Sequence, residues 1–321
     1  MKNRVCEILG IQYPIVQAAM NWITDAEIAG AVSNAGGLGV LGPNSGEKYA
    51  DGRKLSTEER YRNEIHKLQS ITDKPFAVNI VSRGDERDQY FIPVIRLCLE
   101  EGVRIFVVVG TVNEQYFKMI KDAGATIIYR EITPTPEDAL RAQELGADII
   151  IATGFDEGGE LPHNAVGTFS IVPIIADAVS VPVMAAGGIN DIRGVRAAFA
   201  LGAEGIYVGS RFAVSKECPL SDNIKADIVT AKSTDLVFIG QGTRALKNAF
   251  VEELIGMMKA GTPANEIMAR IATPEGEKPG LLKGDRSRAI MSVNTAVDLI
   301  RDVKSCEEIV QELMADFIQE N

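Results

Sequence analysis

A (β/α)8 barrel carrying a small helical subdomain near its C-terminus is the fold the sequence predicts, and three observations predict it. Eight short apolar runs alternate with amphipathic stretches of helical period. A glycine followed by a small residue recurs where a helix gives way to a strand. Glycine-bearing turns follow the last two runs, which is where barrels bind phosphate.

The eight expected strands are Tyr13 to Gln17, Leu38 to Leu41, Phe76 to Ile80, Ile105 to Val109, Thr126 to Tyr129, Ile149 to Ile151, Val183 to Ala186 and Gly205 to Val208. Most are continuously apolar, as strands covered on both faces must be. Gly102-Val103, Gly124-Ala125, Gly146-Ala147 and Gly202-Ala203 mark junctions, and the first three lie 22 residues apart, enough for one strand, a turn and a helix. Each glycine is expected to end its helix in the left-handed conformation. Pro75 and Pro182 precede strands where a missing N–H matters least. A doubly wound open sheet would instead place its glycine-rich turn after the first strand, and Gln17-Ala18-Ala19-Met20 is no such turn.

The chain divides into an expected barrel over residues 1–217, a helical cap over 218–290 that shapes the substrate site, and a segment over 291–321 that packs back on the barrel. Ser305 and Glu308 form a capping box for the last helix. The polar excursion from Leu41 to Glu64, with Gly42, Pro43, Asn44, Gly46 and Gly52, is a candidate lid.

Composition removes several functions. With 46% apolar and 24% charged residues among 321, the chain can bury a full core. A net charge of −11 without a basic tract argues against nucleic acid as a partner. The two histidines and four scattered cysteines suit neither a structural zinc nor a disulfide scaffold, so no metal site is expected. No apolar run is long enough for a membrane span or a signal peptide, so a cytoplasmic protein acting on a small molecule is expected.

The strongest local signal is Ala186-Gly187-Gly188-Ile189, where a buried strand runs into two glycines and then a helix. Such a turn lets the backbone approach an anion and aim N–H groups at it. Gly209-Ser210-Arg211 supplies the second wall of this cradle, with Arg211 either screening the phosphate charge or making a salt bridge at the barrel edge. At the other strand ends, Ala18, Ala19 and Met20 are small or flexible enough to lie beside a planar ring, though Met20 also suits plain core. A buried Asn79 must be hydrogen-bonded, to a ring edge or to a loop; Gln17 obeys the same logic. The turn from Ser33 to Gly39 reads as tight packing.

The loop after the sixth strand, Ala152 to Thr168, is long, polar and glycine-rich. His163 is the leading acid/base candidate because histidine titrates near neutrality, unless it is a solvent-exposed loop residue. Asp156, Glu157 and Glu160 crowd the same loop, where like charges raise one another's pKa. Asp156 is expected to accept backbone N–H bonds, Glu160 remains open as an acid or base, and Thr168 is expected to cap the next helix.

Taken together these motifs resemble the nitronate monooxygenase family (formerly 2-nitropropane dioxygenases), with its flavin-dependent enoyl-acyl-carrier-protein reductases and NADH:quinone reductases. The resemblance rests on Ile11 to Met20, Ala31 to Gly39, Lys74 to Asn79, Ala186 to Ile189 and Gly209 to Phe212, and covers essentially the whole chain. It implies FMN in the cradle, a possible homodimer, and NAD(P)H as a possible reductant. The family's loop runs glycine, any residue, glutamate, alanine, glycine, glycine, histidine. Here Asp156 stands for the glutamate and Glu160 for the histidine, with His163 three positions later. The first expectation is therefore oxidation of alkyl nitronates, with His163 or Glu160 as the base. The alternatives are NAD(P)H-dependent reduction of an enoyl thioester, quinone reduction, and flavin binding without catalysis.

Overall fold

A computed structural model describes residues 3–46, 55–240, 242–272 and 277–318. Gly52 of the candidate lid, Gln241 and residues 273–276 lie outside the described residues.

The strands are β1 (Ile15–Gln17), β2 (Gly39–Leu41), β3 (Phe76–Ser82), β4 (Ile105–Gly110), β5 (Thr126–Arg130), β6 (Ile149–Thr153), β7 (Gly159–Glu160), β8 (Val183–Ala186), β9 (Gly205–Val208), β10 (Leu236–Ile239) and β11 (Thr243–Leu246). Eight of them pair in parallel in the order β1-β9-β8-β6-β5-β4-β3-β2. A parallel bridge between Val16 and Leu38 closes β1 on β2, and Leu38 N donates to Ile15 O at 2.9 Å. The result is the expected barrel.

Side chains alternate across its wall. Ile105, Val107, Ile149 and Ile151 point inward to one buried cluster, and Phe106, Val108, Ile150 and Ala152 face the helices. Helix Arg4–Leu9, which the pattern of strands does not announce, adds Val5 and Leu9 to the inner cluster. Gly102, Gly124, Gly146 and Gly202 adopt φ of 85°, 69°, 102° and 97°, the left-handed helix ends expected of them. Gly39 has a packing role: a Cβ there would lie 1.9 Å from Ala29 O, so helix Ala26–Asn34 packs directly on β2. Gln17 also serves the barrel, its Oε1 accepting from Val40 N at 3.0 Å.

Beyond β9, helices Asp222–Thr230, Ala249–Lys259, Ala264–Ala272 and Glu277–Lys283 follow. The segment also holds the antiparallel pair β10–β11, favoured by the run Leu236-Val237-Phe238-Ile239 and a left-handed Gly240. β11 pairs with β7, so this hairpin grips the loop after β6. The capping box of Ser305 and Glu308 is present on helix Cys306–Leu313. No helix among the described residues is long and apolar enough to cross a membrane.

Candidate active site

The C-terminal ends of the strands open into one cavity of ≈ 800 Å³. Ala18, Ala19, Met20, Asn79, Glu160, Ala186, Gly187, Gly209 and Ser210 all line it, so the fold brings together residues scattered over most of the chain.

One end has the features of an anion cradle. Gly187 and Gly188 take φ of 105° and 73°, a conformation that disfavours any side chain. A Cβ on Gly187 would lie 2.7 Å from Thr168 Oγ1 and 3.0 Å from Gly154 O. The amides of Gly187, Gly209 and Ser210 donate to no other group among the described residues. Ser210 Oγ accepts from Asn294 N at 3.0 Å, which leaves its hydroxyl proton free to point at a ligand. Asn190 and Asn294 exchange side-chain hydrogen bonds of 2.8 and 2.9 Å and so tie the turn after β8 to the chain that closes the cradle. Gly188 does not itself line the cavity; its contribution is the turn.

Along the floor, Ala18 N donates to Val208 O at 2.8 Å and Ala19 N to the Tyr207 hydroxyl at 3.1 Å. Asn79 is buried, with its side-chain amide donating to Val107 O at 3.2 Å, so the barrel already uses one of its ends. The far wall is apolar: Leu220, Ile224, Ile228, Leu281 and Ile290, all from the chain that follows β9.

Two expected site residues are placed elsewhere. Arg211 points away from the cavity and pairs with Asp302, Nη2 to Oδ1 at 2.7 Å and Nη1 to O at 3.0 Å. It begins a short helix with Ser210, and neighbours in a helix point about 100° apart, so adjacency to a ligand in sequence did not carry the guanidinium there. Its role is the salt bridge, not the phosphate. Because the Asp302 side chain is 47% exposed and can return to water, Arg211→Met is expected to cost only about 1–3 kcal/mol of stability. Thermal melts should show that loss, and a flavin titration should show cofactor affinity unchanged. His163 is the second correction: it is exposed, does not line the cavity, and its backbone N donates to Thr133 Oγ1 at 2.9 Å. Three residues of β7 and its exit, held by β11, carry the chain out of the cavity before His163 is reached.

Glu160 does line the mouth, more than half exposed, with Oε1 3.5 Å from Arg83 Nη1. Asp156 accepts the Thr168 amide at 2.6 Å, as expected of a structural carboxylate. Asp156 thus caps the next helix, and Thr168 does not; the Thr168 hydroxyl donates to Gly187 O at 3.0 Å instead.

Sequence reasoning singled out Glu157 only as one of three crowded loop carboxylates and missed its partner, Arg130. Arg130 ends β5 and pairs with Glu157 of the loop after β6, with side-chain exposures of 11% and 13%. Arg130 Nε also donates to Thr153 Oγ1 at 3.1 Å. Burial pushes the Glu157 carboxyl up to about 7, while Arg130 and Arg244 pull it down and Glu160 pushes it further up. The attraction of Glu157 more than offsets the burial of Arg130, whose pKa is raised. A guanidinium stays cationic at any pH the fold survives, so the group that titrates near neutrality is Glu157. A charged residue at the C-terminal end of a barrel strand was the available signal.

The nitronate monooxygenase family profile matches residues 2–316. The chain belongs to the nitronate monooxygenase family. Within reach of it, a probable nitronate monooxygenase of Staphylococcus aureus (strain MRSA252) is 33% identical, over 79% of this chain and 80% of its own. A (3aS,4S,5R,7aS)-5-hydroxy-7a-methyl-1-oxo-octahydro-1H-indene-4-carboxyl-CoA dehydrogenase of Rhodococcus jostii (strain RHA1) is 27% identical, over 99% of this chain and 96% of its own. The solved structure of FabK from Thermotoga maritima superposes with a TM-score of 0.86 at 29% identity, covering 100% of this chain and 97% of that one. A nitroalkane oxidase from Streptomyces ansochromogenes shares the fold, with a TM-score of 0.80 at 21% identity. Membership of the nitronate monooxygenase family implies an FMN-dependent oxidoreductase. The residues present fit that cofactor: side-chain-free turns with unclaimed amides suit its phosphate, and the small side chains of Ala18 and Ala19 leave room for its ring.

Proposed function

We propose that this protein is an NAD(P)H-dependent, FMN-containing reductase of an enoyl thioester. The observation that carries the reading is the continuity of the cavity: one space joins the anion cradle to the apolar wall of Leu220, Ile224, Ile228, Leu281 and Ile290. Such a wall suits the hydrocarbon part of an acyl group. Two relatives that span nearly the whole chain, FabK and a carboxyl-CoA dehydrogenase, support a thioester as substrate over a nitronate.

The chemistry that bound FMN supplies is the carriage of hydride equivalents between nicotinamide and substrate. Gly187, Gly209 and Ser210 would hold its phosphate, and Ala18 to Met20 would flank its ring. Leu220, Ile224, Ile228, Leu281 and Ile290 would flank the acyl group and help exclude water from it.

The test is a pair of steady-state assays on the purified yellow protein. NAD(P)H loss that depends on an enoyl-CoA is expected. Oxygen uptake with an alkyl nitronate, with no nicotinamide present and no enoyl-CoA reduction, would sink the reading. In the productive assay His163→Ala should retain turnover within about twofold, whereas loss of a working general acid costs about 10²–10⁴-fold.

A further inference from the structure

We propose that Glu157, paired with Arg130 in the cavity wall, is the catalytic residue that delivers the proton to the reduced substrate. The inference rests on the enoyl-thioester reading and adds the identity of the acid.

Glu157 lines the cavity, and its two carboxyl oxygens differ. Oε2 meets Arg130 Nη2, whereas Oε1 is buried and has no hydrogen-bond partner among the described residues. A buried polar atom without a partner costs about 1–3 kcal/mol, so its retention asks for a reason. A proton on Oε1 supplies one. The last torsion of a glutamate is soft, so Oε1 can turn to the cavity face without moving the backbone.

The backbone beneath it is held hard. Arg244 donates to Phe155 O at 2.6 Å and to Glu157 O at 2.5 Å, and Thr295 N donates to Asp156 O at 3.0 Å. Arg244 is itself stacked against the rings of Phe155 and Phe238, at 5.0 and 5.3 Å. A Cβ on Gly158 would lie 2.4 Å from Val293 C, so the loop is pressed against the closing strand of chain. General acids need this kind of fixed position.

The charged and titratable groups that face Glu157 come from four strands: Arg130 on β5, Glu160 on β7, Tyr207 on β9 and Arg244 on β11. Burial and Glu160 favour its protonated form, and the two arginines favour the carboxylate, which places the carboxyl near neutrality, where an acid both holds and releases a proton. Glu160 lacks the burial, and His163 lacks access.

The step balances. Reduction of the conjugated double bond adds one hydride to the β-carbon, its two electrons coming from NAD(P)H. The Glu157 O–H bond breaks and a C–H bond forms at the α-carbon of the resulting enolate. The carboxylate left behind is stabilised by Arg130 and takes its next proton from solvent.

The experiment follows NAD(P)H oxidation against pH for the unaltered holoprotein, Glu157→Gln and Glu157→Asp, with an enoyl-CoA and with ferricyanide as acceptors. Ferricyanide needs no proton on carbon. Glu157→Gln is expected to lower enoyl turnover at least tenfold more than ferricyanide turnover and to erase a limb near pH 7. Glu157→Asp should restore part of the rate and shift that limb. A separate readout is the carboxyl titration of Glu157 by NMR of protein labelled with ¹³C in its glutamate side chains. An acid titrating near pH 7 in the unaltered protein and absent from Glu157→Gln is expected, and one titrating in the ordinary carboxylate range overturns the inference. Equal enoyl and ferricyanide losses overturn it while leaving the enoyl reading intact. Ferricyanide turnover with no enoyl turnover in the unaltered protein overturns both.

Discussion

Gly187→Ala is expected to yield a folded protein that no longer retains FMN. The position combines a φ of 105° with a Cβ site 2.7 Å from Thr168 Oγ1, 3.0 Å from Gly154 O and 3.2 Å from Glu157 N. A methyl group there forces the Thr168 hydroxyl off Gly187 O and turns the Gly187 amide out of the cradle. Backbone strain of this kind costs about 1–3 kcal/mol, which a barrel of this size survives. Each charge-assisted bond lost to a phosphate costs about 1.5–3 kcal/mol. Loss of the Gly187 amide alone therefore weakens binding by about 10- to 100-fold. Flavin fluorescence titration reads the affinity, and near-stoichiometric yellow protein after dialysis would overturn the assignment of the cradle. Gly209→Ala is a useful contrast, because a Cβ there meets only Ala18 and the Met20 side chain, at 3.5 Å or more.

What the sequence made legible follows from how local each signal is. The strands declare themselves through short, mostly apolar runs, and the helix ends through glycines that adopt positive φ. The cradle is legible because it is built from backbone, and a Gly-Gly turn is visible as a string of letters. Side-chain direction is not local in that sense. Arg211 adjoins Ser210 yet turns to Asp302, 91 residues on. His163 drew attention as one of two histidines, while the pairing of β7 with β11 takes it out of the site. Arg130 and Glu157 lie 27 residues apart, and only the adjacency of β5 and β6 makes them partners. The sequence displays both charges but not that they face each other.

That pairing sets the second large effect. Arg130→Met is expected to cost about 3–5 kcal/mol of stability above neutral pH, because it strands a buried carboxylate. The size of the loss should depend on pH in a definite direction. The Glu157 carboxyl is raised in the folded protein from its ordinary 4.5 to about 7. The unfolded chain therefore releases this proton at lower pH than the folded one does. The stability that this group contributes is complete below its unfolded value and is lost as pH rises through about 7. Removing Arg130 removes the attraction that opposes burial, so the folded carboxyl moves higher still and the loss continues to higher pH. At pH 5 the folded variant holds Glu157 neutral, and only the Thr153 hydrogen bond and packing of the arginine are missing. At pH 8 the choice is between a buried unpaired charge and a proton taken from a dilute pool. Urea unfolding of Arg130→Met and the unaltered protein at pH 5 and pH 8 measures the difference directly. A stability gap that is the same at both pH values, or wider at pH 5, would mean that Glu157 is not held near its proton by burial, and the acid assigned to this site would have to be sought elsewhere.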